Sequence, residues 1–399
     1  MKTETLIIGD GISGLACANK LAENEREFLI VTENVEGRIA RSEDGQVYYG
    51  AYFVMKDYKH LNKFVRIREK ISPLNVQFHE NGRQYTAFNF GILKHFGEFL
   101  RTIRILFKFK KHYEAFKKNS EIMDQADAIK KDSYLWKLYN QKASDFILEQ
   151  RIEYIGYKYL AQMIHGAAFT PTNKINAMLF LLMSMPIIAS THRFDLLDEK
   201  ISSHVGDKIV FASATVIKKE HSLYKVSTSK GDFFAKNVVV ATPPHISKKL
   251  LDLGKIKRPT NAHMFHIAGE LRGDWDMINL FDESDSTLAF AKERNGTFLF
   301  YSVLAKPDFS KYFIKHRIIY HKFWNPAFNV SGFELLKCEL SKNLYLIGDH
   351  NVCSMEDSFI TGVYAANRIL GGGILTLLSK ENLKNPINWI AHAKYKNMA

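Results

Sequence analysis

Three glycines and one acid near the start of the chain have the types and spacing to hold a dinucleotide. Gly9, Gly11 and Gly14 form a G-x-G-x-x-G run, and Glu33 follows nineteen positions after Gly14. Gly9 permits a sharp turn, Gly11 lets backbone approach a pyrophosphate, and Gly14 lets a helix pack closely on a strand. Glu33 can accept a bond from an adenosine ribose hydroxyl; its charge repels a 2′-phosphate, which disfavours NADP and leaves NAD and FAD. Ile12 and Ser13 would open the helix whose N-terminus faces the phosphates. The elements that must position these groups are legible. Leu6-Ile7-Ile8 reads as a buried strand, Ala16 to Ala22 as a helix, and Phe28 to Thr32 as a second strand that delivers Glu33 at its carboxyl end. The alternative is a glycine turn that serves packing alone.

Three further segments bear on which dinucleotide is bound. Asn34-Val35-Glu36-Gly37-Arg38 comes directly after Glu33. Val238-Val239-Val240-Ala241-Thr242-Pro243-Pro244 reads as a strand and turn. Leu344 through Gly348-Asp349-His350 reads as a buried strand ending in an acid, followed by Ser354 to Gly362 and a helix to Leu370. Together with GxGxxGL at Gly9 to Leu15, these segments resemble the flavin-containing amine oxidase superfamily, which includes protoporphyrinogen oxidases and phytoene desaturases. Its usual signatures are GxGxxGL, Gly-Gly-Arg, a "VVVATPP"-like strand and "LYxxGD" before a helix. The resemblance spans the chain in the family's order, with the middle third matching only in pattern.

The resemblance implies an α/β fold in which a Rossmann-type FAD-binding domain is interleaved with an α+β substrate domain. The FAD-binding parts would be 1–60, 200–255 and 335–372. The substrate domain would be the helices of 61–199 and a sheet in 256–334, with 373–399 as a C-terminal tail. It also implies contacts: Asn34, Gly37 and Arg38 near the pyrophosphate, the guanidinium forking onto it; Val216 against the adenine; Ala241 and Thr242 at the central strand end; Gly348 and Asp349 at the ribityl hydroxyls. A helix beginning near Ser358 would aim the N–H groups of Ser358, Phe359 and Ile360 at the flavin's pyrimidine edge. A surface Arg38 and a plain turn aspartate at 349 are the alternatives. Val216 lies in an expected strand pair, around Ala214 to Ile217 and Tyr224 to Thr228, with Ser229 to Asp232 as its turn.

Three departures stand out. Glu36 replaces the first glycine of Gly-Gly-Arg. Asp357 replaces a glycine beside the flavin edge, where it either opposes an anionic reduced flavin or caps the helix. Thr191-His192-Arg193-Phe194 replaces a glycine pair. Tyr301, Trp324 and His350 are the candidates for catalytic walls, against core positions for the first two and a capping or ribityl contact for the third. The chain has no lysine matched to the one many amine oxidases place near N5, and no paired aromatic cage.

The expected activity is that of an FAD-dependent oxidoreductase moving a hydride from a C–N or C–C bond of an apolar organic substrate to N5. The alternatives are a non-catalytic flavin-binding partner or scaffold subunit, and a flavoprotein without net redox turnover. A nicotinamide-reduced enzyme of the two-dinucleotide kind would need a second glycine fingerprint. His263 with His266 and His316 with His321 lack an acid at ligand spacing, so no metal is expected. GxSxG, GxxxxGK[ST] and CxxC are absent from the sequence.

With 399 residues, 46% of them hydrophobic, the chain can bury large cores. Cys17, Cys338 and Cys353 are too few and scattered for a disulfide framework, and no signal peptide opens the sequence, so a cytoplasmic protein is expected. None of the three matches the position of the covalent flavin attachment in some amine oxidases, so the resemblance implies non-covalent FAD. The net charge of +13 concentrates between Ile92 and Lys118, where eight Lys/Arg oppose Glu98 and Glu114. Apolar residues at helical spacing there read either as an interfacial membrane helix or as a core helix with a solvated basic face. No base-reading motif accompanies the charge, so nucleic acid is not expected. Ile175 to Ser190 reads as a buried helix; Pro186 and its length argue against a span.

Overall fold

The computed structural model describes residues 1–33, 37–87, 89–197 and 205–371. Asn34, Glu36 and the 373–399 tail lie outside the described residues. The first strand, β1 (Lys2–Ile8), enters a helix, α1 (Ile12–Ala22), and returns to β2 (Phe28–Thr32) in parallel register, Ile8 opposite Val31. Leu6, Ile7 and Ile30 are fully buried, as expected of strands covered on both faces. β8 (Ile209–Phe211) continues the sheet beyond β2. On the other side of β1 come β11 (Gly231–Val240) and β18 (Leu344–Leu346), both parallel, then the antiparallel β17 (Glu339–Ser341). β9 (Ala214–Glu220) and β10 (Leu223–Thr228) fold as an antiparallel flap onto β11. Their own turn is at His221. Ser229 to Asp232 instead joins β10 to β11, a correction that follows from Asp232 pairing across to Ser227.

A second sheet runs β16, β12, β15, β14, β13, β5, β6. Its members are β5 (Val76–Glu80), β6 (Arg83–Thr86), β12 (Arg258–Leu271), β13 (Ile278–Phe281), β14 (Thr287–Lys292), β15 (Phe298–Ser302) and β16 (Phe313–Ser331). A small sheet of β3 (Val54–Met55), β7 (Thr191–Leu196) and β4 (Val65–Lys70) stands beside them. The 61–199 segment is therefore not purely helical. β5 and β6 join the second sheet because Val76 to His79 pair with Ile278 to Phe281.

The helices of that segment are α2 (Phe90–Lys94), α3 (Phe96–Ser120), α4 (Gln125–Lys131), α5 (Ser133–Asn140), α6 (Ala143–Glu149), α7 (Glu153–Ile155), α8 (Ala161–Ala168) and α9 (Ala177–Ser184). α9 is buried nearly all round. Asn176 caps it, its side chain accepting from Leu179 N–H at 2.9 Å, and Pro186 lies just beyond its end. No helix among the described residues is long and apolar enough to cross a membrane. The nucleotide-type sheet is completed by α10 (Pro244–Leu251), after β11, and α11 (Met355–Ile369), after β18. α11 crosses α1 so closely that a Cβ on Gly362 would lie 2.1 Å from the Ser13 carbonyl oxygen.

Candidate cofactor and active site

The parallel strands stop in one row. Gly9 N–H donates to Val31 O (2.8 Å), Ala241 N–H to Ile8 O (2.8 Å), and Ile347 N–H to Val240 O (2.9 Å). Gly9, Glu33, Ala241 and Gly348 therefore leave the carboxyl edge side by side. β2 lies on one side of β1 and β11 on the other, so the chain reverses its direction of winding here, the crevice where open α/β sheets bind ligands. The strands behind this edge are almost fully buried, whereas Gly11, Ile12, Arg38, Ala241, Thr242, Gly348 and Met355 along it are part-exposed.

The glycines differ in what they do. Gly9 has φ +102°, and a Cβ on it would sit 2.7 Å from Ala241 O; a Cβ on Gly14 would sit 2.1 Å from Gly9 O. Both are demanded by the protein's own packing. Gly11 has nothing within 4 Å of its would-be Cβ and an ordinary extended backbone, φ −61° and ψ 174°, so it faces open space at the N-cap of α1. Asp10 Oδ1 accepts from Thr32 Oγ1 at 2.9 Å, which ties the turn to the end of β2. Ala212 N–H donates to Thr32 O (2.9 Å), so the start of β9, with exposed Val216, begins beside exposed Glu33.

Arg38 is held from the opposite side. Its Nη1 and Nη2 donate to Asp349 Oδ2 and Oδ1 at 2.6 and 2.7 Å, Nη1 also reaches Ala327 O at 3.3 Å, and the guanidinium lies 5.7 Å from the Phe328 ring centroid. Burial opposes ionisation of Asp349, but the charge and hydrogen bonds of Arg38 outweigh it and hold its pKa at about 2. His350 is buried, and desolvation lowers its pKa to about 4, so it is neutral at pH 7. Its Nε2 meets Ile347 O at 3.1 Å; a carbonyl only accepts, so Nε2 carries the proton and buried Nδ1 is a bare acceptor with no partner.

α11 begins at Met355, not near Ser358. Ser354 is its N-cap, with Oγ accepting from Asp357 N–H at 3.0 Å. Ser358 N–H already donates to Ser354 O (3.0 Å), and Phe359 and Ile360 lie deeper in the helix. The first-turn N–H groups outside the helical ladder are those of Met355 and Glu356. Asp357 is therefore the third helical residue rather than the cap. Its carboxylate is wholly buried and bonds Tyr113 Oη and Ser354 Oγ, turned toward α3; burial raises its pKa to about 6 against those bonds.

Tyr301 and Trp324 lie on β15 and β16, with β12 between them, and both are buried. Tyr301 Oη donates to Tyr49 O at 2.9 Å, and burial pushes its pKa far up, so it stays a phenol. Its ring stacks on Phe169 (5.5 Å), which in turn meets Phe328 (5.7 Å). An aromatic wall thus runs from Tyr301 through Phe169 to Phe328, under Arg38. Trp324 is covered by Lys322 Nζ at 3.9 Å. The hydrogen bond of His350 runs to Ile347 O and not to either aromatic.

No family model matches the chain, and no curated protein matches it. Among solved structures, it is similar to a putrescine oxidase bound to putrescine, at 12% identity over 93% of this chain and 99% of that one, with a TM-score of 0.65. A cyclohexylamine oxidase from Brevibacterium oxydans IH-35A gives 12%, 94%, 99% and 0.62, and a CLA-producing fatty acid isomerase from P. acnes gives 11%, 92%, 98% and 0.67. The chain has the two-domain amine oxidase-like fold.

Within this fold the Thr191 to Phe194 departure has a local reason. Arg193 is buried on β7 and donates from Nη1 to buried Glu293 (2.8 Å) and from Nη2 to Lys292 O (2.6 Å) and Tyr52 Oη. Sequence reasoning missed this pair and two other groups. Glu356 accepts from the N–H groups of Lys59, His60 and Leu61 at 2.7 to 3.0 Å, clamping α11 to the chain after β3. Lys257 is buried beside Cys353 and Val352, donates to Asn351 O at 2.5 Å, and has its pKa lowered by burial to about 8. No sequence spacing signals either one, because their partners lie 94 to 297 positions away.

Proposed function

We propose that this chain is a cytoplasmic FAD-dependent oxidoreductase that takes a hydride equivalent from a C–N or C–C bond of an apolar organic substrate. The observation that carries this reading is the carboxyl edge itself. Four strand ends, the uncovered face of Gly11 and a bidentate Arg38–Asp349 pair meet along one part-exposed edge of the parallel strands. When bound, FAD supplies the hydride acceptor, flavin N5.

The chain's own groups do the rest. Gly11, Ile12 and Ser13 offer backbone at a helix N-terminus to the pyrophosphate, and Glu33 accepts from the adenosine ribose. Gly37, whose would-be Cβ lies 3.5 Å from Gly11 Cα, borders that turn, and Val216, Ala241 and Thr242 border the adenosine end. At the other end Gly348 lets the chain pass close to the ribityl chain. His350 Nδ1, an acceptor without a partner in the chain, would take a ribityl hydroxyl, and Arg38, fixed by Asp349, would keep positive charge beside the phosphates. The Met355 and Glu356 N–H groups, ahead of Ser358, Phe359 and Ile360, would hold the pyrimidine edge and favour negative charge there. Tyr301, Phe169 and Phe328, with Trp324 behind them, exclude water and orient an apolar substrate. Asp349 is bound by Arg38 and Glu293, whose pKa burial raises to about 7, by Arg193, so neither acid is free to hold a charged amine at this wall.

FAD is held without a covalent bond. The three cysteines are buried free thiols, which fits a reducing compartment, and burial raises the Cys353 pKa to about 12, where the thiolate is scarce. Acid precipitation should release the chromophore into the supernatant; a yellow pellet would refute this mode of attachment. Anaerobic photoreduction of the purified protein, followed by admission of air, tests the activity. The flavin should bleach and recover. A colourless protein that refuses added FAD overturns the reading, and a bound flavin that resists reduction overturns its redox part.

A further inference from the structure

α3 has two unlike faces. Thr102, Leu106, Phe109, Tyr113, Phe116 and Ser120 recur at helical spacing and are buried in the substrate-domain core. The opposite stripe should then be polar, because a solvent-facing helix surface gains nothing from large apolar side chains. It is not. Phe96, Leu100 and Phe107, four and seven positions apart, share that stripe and are 50%, 39% and 58% exposed; on the adjoining α2, Phe90 is 80% and Leu93 68% exposed. Among the described residues no element covers them. Arg104 and Lys111 lie along the same stripe, Arg101 and Lys108 on its flank and Lys94 at the end of α2, all charged groups of one sign. The acids of α3 are engaged elsewhere: Glu98 accepts from Tyr154 N–H (2.8 Å) and bonds His95, and Glu114 pairs with Lys117 at 2.8 Å.

We propose that the α2–α3 face docks on an anionic lipid bilayer. The five apolar side chains would enter the boundary between headgroups and acyl chains, and the cations would meet lipid phosphates. An apolar stripe with flanking positive charge fits that boundary and no aqueous surface. A nucleic acid would use the cations but leave Phe90, Leu93 and Phe107 in water, so the exposed apolar groups decide between the two. The inference rests on the outer surface of the helical segment and stands independently of the flavin reading.

Sedimentation of the full chain with vesicles tests it. Vesicles of phosphatidylcholine mixed with phosphatidylglycerol should carry the protein down, and phosphatidylcholine alone should carry much less. The triple variant Phe90→Ser/Leu93→Ser/Phe107→Ser changes exposed side chains only; it should keep the wild-type melting temperature and lose at least about 10-fold in apparent vesicle affinity. The control Lys218→Glu/Lys219→Glu, on exposed β9, should bind like wild type. Failure to pellet with anionic vesicles, equal pelleting of wild type and triple variant, or an equal loss in the β9 control would each overturn the proposal. So would binding to duplex DNA that survives the triple substitution while vesicle binding is absent.

Discussion

Alanine at Gly11 and alanine at Gly14 should separate what the nucleotide turn does for a ligand from what it does for the fold. At Gly14 the new Cβ would lie 2.1 Å from Gly9 O, a backbone atom that cannot move aside without shifting the turn. Overpacking of this kind costs roughly 1–3 kcal/mol, and Gly14→Ala should lower the melting temperature of the apoprotein. At Gly11 the Cβ meets nothing within 4 Å and the backbone is extended, so the apoprotein should change by less than about 1 kcal/mol in either direction. The same methyl group would occupy the space a pyrophosphate needs. If that clash costs FAD the same ~1–3 kcal/mol, its Kd should rise roughly 5- to 150-fold. Thermal melts of the apoproteins and titration of FAD by fluorescence quenching give both readouts. Gly11→Ala binding FAD as wild type does would refute the placement of the cofactor; an apoprotein destabilised as much as Gly14→Ala would refute the open face.

Other groups give further expectations. Asp349 has a folded pKa of about 2 against a usual 3.8, so its contribution is full above pH 4 and is lost as pH falls toward 2. It amounts to ~2 kcal/mol, and Arg38→Leu should abolish it and raise the acid-unfolding midpoint. Asp357 has the opposite sign. Its folded pKa is raised to about 6, so wild-type stability should fall as pH rises from about 4 through 6, and Asp357→Asn should flatten that slope in denaturant titrations. Arg193→Met leaves Glu293 buried without its cation and should cost ~3–5 kcal/mol, with Glu293→Gln on the same background recovering part of the loss; no recovery would show the pair is not the cause.

The start of the chain could be read from its residues because its constraints are local. Apolar runs of strand length, a glycine turn and an acid at a fixed distance specify β1, α1 and β2 within some thirty residues. Ser354 followed three residues later by Asp357 is likewise a local cap signal, and it sets the helix start ahead of the Ser358 that the family pattern implies. Arg38 with Asp349, Tyr113 with Asp357, and Arg193 with Glu293 are separated by 311, 244 and 100 positions. Each pairing depends on which strand lies beside which, and no spacing rule reaches that far. α3 shows the division within one helix. Its sequence declares apolar residues on more than one side, but only the packing of the other helices selects the stripe at Leu106 and Tyr113 for the core and leaves Phe96, Leu100 and Phe107 outside. A side chain's type and period are fixed by the chain itself, whereas its burial is fixed by what arrives from elsewhere.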